Sequence, residues 1–280
     1  MLKTTNYQIV FSDVDGTLLN KDRELSDVTV HQIKRIVNEH NIKFVMVSAR
    51  MPAGMQHLYN QLPVKSPIIC YNGALILSDL DNGYNQNNVL LSKTIDHDTA
   101  LDIYTKAKDE DLHFGLFSNN RWFANRFDEW TAKEENNTRV KCTINPQIED
   151  LIGALQQSKE PIHKLMVMGN CSKIDSLIEF TNTKFGRVVA SYRSKDTYIE
   201  ISPVLSNKAT GCSFLMDYLK IPYNKAIAFG DNLNDIEMLK IVGLGIAMHN
   251  APDAVKNHAK HIAPSNTDNG VANTISELFV

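Results

Sequence analysis

Ile9-Val10-Phe11-Ser12-Asp13-Val14-Asp15-Gly16-Thr17-Leu18-Leu19 decides how the rest of this chain reads. β-Branched and aromatic residues followed by a turn cluster predict a short buried strand with a loop at its C-terminal end. Downstream, Ser26 precedes Val28, Val30, Ile33, Ile36 and Val37 at near-helical spacing, which predicts an N-capped helix. Lys43-Phe44-Val45-Met46-Val47 predicts a second buried strand, ending at Ser48-Ala49-Arg50. A helix follows around Pro52 to Gln61, and Ile68-Ile69-Cys70-Tyr71 predicts a third strand ending at Asn72-Gly73. Strands and helices alternating through short connections predict a parallel sheet covered by helices, an α/β fold.

The rhythm breaks at Asp79 to Asn88, which is polar and Asn-rich. Beyond it, helices are expected over 96–110, 149–157 and 174–184. A hairpin is expected around Asn119-Asn120, with further strands at 164–168, 187–191 and 197–201. Paired strands between helices suggest an α+β layer. The α/β rhythm returns after Ser202-Pro203, with a helix from about Asn207 to Leu219. A strand at Lys225 to Phe229 ends in Gly230-Asp231-Asn232, a helix spans 235–241, and a further strand spans 243–248. The expected division is a core of 1–81 plus 202–280 with an insert of 82–201.

Composition narrows the function. The chain has 280 residues, and at ~150 residues per domain that predicts about two domains. An apolar fraction of 43% and a charged fraction of 22% fit a folded protein rather than a disordered one. Lys+Arg 29 against Asp+Glu 32 leaves −3, so no electrostatic footprint for nucleic acid or an anionic membrane is present. Four cysteines stand far apart without a CxxC pair, which fits reduced thiols and a cytoplasmic location. The N-terminal stretch turns acidic before any signal-like apolar run develops. The apolar run from Ile241 to Met248 is far short of a membrane span.

Ligands of open α/β sheets bind beyond the C-terminal ends of the strands. Those ends carry Asp13 and Asp15, then Ser48, then Asn72, and finally Asp231, Asn234 and Asp235, while Lys208 opens the helix before the last of these strands. Carboxylates crowded together repel and call for a cation. An all-oxygen set without His or Cys suits a hard ion such as Mg²⁺, which takes a few carboxylates together with a substrate phosphate. Lys208 and Ser48 would hold the anionic side of such a substrate. Asp13 is a candidate nucleophile, because carboxylates form covalent aspartyl-phosphates. Asp15, two residues on, is placed to act as general acid and base on the same group.

Asp13-Val14-Asp15-Gly16-Thr17-Leu18-Leu19 resembles the first motif of the haloacid-dehalogenase-like phosphohydrolases. Val47-Ser48-Ala49-Arg50 resembles their second motif, Lys208 their third, and Gly230-Asp231-Asn232-Leu233-Asn234-Asp235 their fourth. An insert after the third strand, with Tyr71-Asn72-Gly73-Ala74 before it, is similar to the Cof-type branch, subclass IIB. So are Ala247-Met248-His249-Asn250-Ala251 and Thr267-Asp268-Asn269-Gly270-Val271-Ala272. The resemblance implies a Rossmann-like parallel-sheet core with the 82–201 insert as an α+β cap domain. It implies that Asp13 attacks phosphorus and that Asp15 protonates the leaving oxygen and then activates water. It implies a Mg²⁺ site at Asp13, Asp15 (through its carbonyl), Asp231 and Asp235, with Asp235 ligating directly or from behind. Ser48, Ala49 and Lys208 would bind phosphate, Asn234 would orient that network, and Asn72 is a further candidate there. Ser48-Ala49-Arg50 departs from the usual Thr-Gly-Arg but keeps the hydroxyl.

Plainer readings exist for several of these residues. Asp13, Asp15, Thr17 and Glu24 fall at EF-hand loop positions, but Leu18 stands where that loop needs glycine. Ser48 would also serve as a helix cap, and Asp235 as a helix N-terminal acid favoured by the dipole. Trp122, Phe123, Phe127 and Trp130 cluster in the insert, with core packing as the default and a substrate-facing lid surface as the alternative. The function expected is Mg²⁺-dependent hydrolysis of small phosphomonoesters, such as sugar phosphates or phosphorylated cofactors. A phosphomutase using the same aspartyl-phosphate and a non-catalytic phosphate-binding protein are the alternatives.

Overall fold

The structure is a computed structural model that describes residues 6–62 and 65–279. Residues 1–5, part of the stretch read above for a targeting signal, lie outside them. In chain order the strands are β1 (Ile9–Asp13), β2 (Lys43–Val47), β3 (Ile68–Cys70), β4 (Leu75–Leu77), β5 (Val89–Ser92), β6 (His113–Ser118) and β7 (Arg121–Ala124). They continue with β8 (Thr143–Ile144), β9 (Lys164–Met168), β10 (Val189–Lys195), β11 (Tyr198–Pro203), β12 (Ala226–Gly230), β13 (Leu244–Met248) and β14 (His261–Ala263). The α-helices are α1 (Asp27–His40), α2 (Pro52–Tyr59), α3 (His97–Asp109), α4 (Glu129–Thr138) and α5 (Ile148–Ser158). The rest are α6 (Cys171–Phe185), α7 (Lys208–Leu219), α8 (Ile236–Ile241), α9 (Asp253–Lys256) and α10 (Gly270–Leu278).

Two compact units emerge. One comprises Met1–Ala49, Met55–Leu90 and Asn207–Val280, the other Arg50–Gly54 and Leu91–Ser206. The first is built on a sheet of order β14-β13-β12-β1-β2-β3-β4-β5. The pairings from β14 through to β3 are parallel, and β4 turns back antiparallel on β3. Every residue of β1, β12 and β13 is buried. Strands covered on both faces have no polar side to alternate with, which is why they read as unbroken apolar runs. Strand order reverses direction between β1 and its neighbour β12, and such a switch point opens a crevice beyond the carboxyl ends of the two strands. Helix α1 starts where Ser26 caps it by accepting from the Thr29 N–H at 3.2 Å.

The second unit has a sheet of order β10-β11-β9-β6-β7-β8, antiparallel apart from β7 with β8. Period-two residues Phe114 and Leu116, Leu165 and Val167, Ile199 and Ile201 share one buried cluster with the apolar stripes of α3, α5 and α6. Helix α4 was not expected from the sequence. Its ten residues, Glu129 to Thr138, carry no apolar stripe and bury only Thr131 and Thr138. What starts it is Asp128, whose carboxylate accepts from the Trp130 and Thr131 N–H groups. The aromatic cluster of the insert divides: Trp122 and Phe123 are buried, but Phe127 is 62% exposed and is no part of the core. Among the described residues no helix is long and apolar enough to cross a membrane.

The loop after β3 decides where α7 begins. Tyr71, Asn72 and Gly73 all have positive φ, and a Cβ on Gly73 (φ +95°) would lie 2.5 Å from the Asn207 carbonyl oxygen. Only glycine lets the two backbones meet this closely. Gly73→Ala is expected to destabilise the protein by about 2–4 kcal/mol, from left-handed strain plus overpacking. A clear fall in thermal midpoint relative to wild type checks this; an unchanged midpoint contradicts it.

Candidate active site

Asp13 ends β1 and is register partner of Val47, so Ser48 and Ala49 leave the sheet beside it. Asp231 follows β12, the neighbour on the other side. Between them the chain makes a wide turn, Val14–Leu18, closed by the Leu19 N–H donating to the Val14 carbonyl at 3.0 Å. Gly16 sits at φ +84°, and a Cβ there would fall 2.4 Å from an Asp231 carboxylate oxygen. The glycine therefore serves two needs, the left-handed backbone and the space for Asp231. Thr17 Oγ1 donates to Asp231 Oδ1 at 2.7 Å and so ties the turn to the acid.

Lys208 joins the separated pieces. It is the first residue of α7, which Asn207 caps by accepting from the Thr210 N–H. Its ammonium donates to Asp13 Oδ1 and to Asp235 Oδ1, both at 2.6 Å. Lys208 is 2% exposed and Asp235 wholly buried. The second Asp235 oxygen accepts the backbone N–H groups of Asp231 and Asn232, each at 2.9 Å. Asp235 thus holds the lysine with one oxygen and shapes the loop after β12 with the other.

The electrostatics follow from crowding. Burial pushes the Asp13 carboxyl well above the ordinary value; Lys208 opposes this, and the charges of Asp235 and Asp231 reinforce it. Asp231 is raised for the same reason, burial first, with Asp235 adding to it. Burial alone would lower the Lys208 pKa, but Asp13 and Asp235 outweigh it and hold the ammonium charged. Carboxylate oxygens of Asp13, Asp231 and Asp235 lie within 4.8 Å of one another. Three acids against one buried ammonium leave net negative charge, and their donors are all hard oxygens. That set fits a divalent cation such as Mg²⁺.

The remaining expected residues are found at the same end of the sheet. Ser48 is buried, its N–H donates to the Ile69 carbonyl at 2.9 Å, and its own carbonyl accepts the Asn72 N–H at 2.9 Å. Asn72 Oδ1 in turn accepts from Asn234 Nδ2 at 3.3 Å, across 162 positions of sequence. Asn234 is exposed and Ala49 half-buried. Asp15 is partly exposed and pairs with Arg23 at 2.6 Å.

Three contributors escape sequence reading. Asn250 Nδ2 donates to the Gly16 carbonyl at 2.8 Å, and Asn250 Oδ1 accepts the Asn266 N–H at 3.1 Å. Asn266 Nδ2 donates to the Leu19 carbonyl at 2.7 Å. These amides hold the middle of the turn and the residue that follows it, whereas His249, beside Asn250, is exposed. The Ala247-to-Ala251 signature marks this segment, but no pattern within it singles out Asn250 as the residue that reaches Gly16. Arg23 has no sequence signal at all.

A model of the haloacid dehalogenase-like hydrolases matches residues 10–275. The chain belongs to the haloacid dehalogenase-like hydrolases. As a member of that family it is an enzyme, a hydrolase. A Haemophilus influenzae protein with a provisional phosphatase name is 33% identical over 98% of each chain. The Bacillus subtilis 5-amino-6-(5-phospho-D-ribitylamino)uracil phosphatase YitU is 28% identical over 99% of each. In structure, a haloacid dehalogenase-like hydrolase from Bacteroides thetaiotaomicron superposes with a TM-score of 0.87, covering 98% of this chain and all of the other at 24% identity, which shows the shared fold.

Removing the lysine leaves Asp13 and Asp235 buried without a counter-charge. Lys208→Met is expected to lose about 3–5 kcal/mol of stability at neutral pH in EDTA. Losing Lys208 removes the charge that opposes burial at Asp13, so the variant's Asp13 takes up a proton at higher pH than wild type and the deficit shrinks as pH falls. Urea titrations of both proteins across pH measure this; a deficit that is constant or grows on acidification contradicts it.

Proposed function

We propose that this hydrolase cleaves small phosphomonoesters with Mg²⁺ and an aspartyl-phosphate intermediate on Asp13. The observation that carries the reading is Lys208 held between Asp13 and Asp235 beside Asp231, at the carboxyl ends of β1 and β12. Asp13 Oδ attacks phosphorus, forming a new O–P bond as the bond to the leaving oxygen breaks. Asp15 gives its proton to that oxygen. Water then attacks the same phosphorus with Asp15 taking up a proton, and inorganic phosphate leaves Asp13 free again.

The cation would be held by Asp13, the Asp15 carbonyl and Asp231, with Asp235 supporting from behind, because its oxygens already serve Lys208 and two backbone N–H groups. When bound, Mg²⁺ supplies positive charge that balances the phosphoryl oxygens. Lys208 brings a second positive charge to the nucleophile's side of the phosphoryl group. The Ser48 hydroxyl and the Ala49 N–H bind phosphate oxygens, and the Asn72–Asn234 pair orients that side of the site. The insert expected at 82–201, whose compact unit runs over Leu91–Ser206, acts as the cap domain that selects the leaving group.

The substrate class is sugar phosphates or phosphorylated cofactors. The YitU name makes a phosphorylated ribitylaminouracil the first compound to try alongside sugar phosphates. Phosphate release is expected to require Mg²⁺, to stop with EDTA and to return when the ion is restored. Asp13→Asn is expected to lower kcat by at least about 10³-fold with the fold intact, as for loss of a covalent nucleophile. EDTA-insensitive turnover, or a folded Asp13→Asn enzyme with normal turnover, overturns the reading.

A further inference from the structure

Arg23 Nη2 lies 2.6 Å from Asp15 Oδ1, eight residues apart in the chain. The pair is 44% and 37% exposed at its side chains. Ion pairs this open to water add little to stability. A loop that merely had to close would not need the guanidinium.

The loop is nevertheless built around that arginine. Asn20 Oδ1 accepts the N–H groups of Asp22 at 2.9 Å and Glu24 at 3.0 Å. The Asn20 N–H donates to the Glu24 carbonyl and the Arg23 N–H to the Asn20 carbonyl, both at 3.0 Å. Arg23 itself sits at φ +60°, a conformation glycine adopts freely and side-chain-bearing residues adopt at a penalty. Just upstream, Asn266 and Asn250 hold the Leu19 and Gly16 carbonyls. Arg23 and Asp15 therefore hang from one stretch of chain that is held at Gly16 and Leu19.

We propose that Arg23 is a positioning residue for Asp15: its guanidinium donates to Oδ1 and so fixes the carboxyl group with the other oxygen, Oδ2, left to carry the proton and deliver it to the leaving oxygen. This rests on the acid–base role given to Asp15 above. Proton transfer needs hydrogen-bond reach of the reacting oxygen, so the orientation of the carboxyl group matters to the step. A planar guanidinium holds a carboxylate directionally, which an ammonium does less well.

The consequence depends on the leaving group. An alkyl or sugar alkoxide needs its proton as the P–O bond breaks; a nitrophenolate leaves without one. Removing Arg23 is therefore expected to lower kcat/KM for a sugar phosphate and to spare an aryl phosphate. The parameter kcat/KM reports steps only up to leaving-group departure, so the later hydrolysis of the aspartyl-phosphate does not blur the comparison.

The test compares Arg23→Gly, Arg23→Lys and Asp15→Asn on a sugar phosphate and on p-nitrophenyl phosphate. Glycine keeps the loop conformation at no strain, so any loss in Arg23→Gly belongs to the side chain. The expected result for Arg23→Gly is a fall of about 10–100-fold for the sugar phosphate, a part of the 10²–10⁴ that general acid catalysis supplies. The aryl phosphate is expected to stay within about 3-fold, and Arg23→Lys to recover part of the loss. Equal losses of kcat/KM on both substrates, or no loss on either, overturns the proposal. Asp15→Asn separates the two levels. If it too lacks a leaving-group-dependent loss, the acid role of Asp15 falls; if it shows one and Arg23→Gly does not, only the role of Arg23 falls.

Discussion

The buried ammonium of Lys208, shared between Asp13 and Asp235, is the contact on which the site depends. Three carboxylates gathered beyond adjacent strand ends would drive one another apart or take up protons. One cation in their midst lets Asp13 and Asp235 remain close, and Asp235 then passes the order on to the loop after β12. The fold supplies the place. Adjacent parallel strands diverge in connection between β1 and β12, and α7 enters with its first residue as the lysine.

The turn after β1 is held just as deliberately, by side chains from far along the sequence. Thr17 binds Asp231, Asn250 binds Gly16 and Asn266 binds Leu19. None of these contacts is strong alone, since a neutral hydrogen bond contributes about 1 kcal/mol and one to a charged group about 1.5–3 kcal/mol. Their value lies in direction: they fix the backbone that carries Asp13 and Asp15.

Much of this was legible in the sequence, for a physical reason. Strands buried on both faces must be apolar throughout, so Ile9 to Phe11, Phe44 to Val47 and Ala226 to Phe229 announce themselves. The polar residue that ends each run is where a ligand site forms. Asp13 and Asp231 were readable for that reason, while Lys208 and Asp235, at helix starts, were readable only through the motif pattern they complete; the structure brings the four together. Helix α4 was not readable, because Asp128 starts it and no apolar stripe marks it. Phe127 misled, because an aromatic residue near others in sequence is not bound to share their core. Arg23, Asn250 and Asn266 act through single hydrogen bonds or one exposed ion pair, and such contacts leave no periodicity behind.

The most direct test is chemical capture of Asp13 during turnover. Rapid quenching of enzyme, Mg²⁺ and substrate into borohydride reduces an acyl phosphate to an alcohol, so a phosphorylated aspartate becomes homoserine. Peptide mass spectrometry is expected to find homoserine at position 13, only when substrate is present. Turnover with Asp13 recovered unchanged, or with the modification on another residue, would contradict the nucleophile assignment.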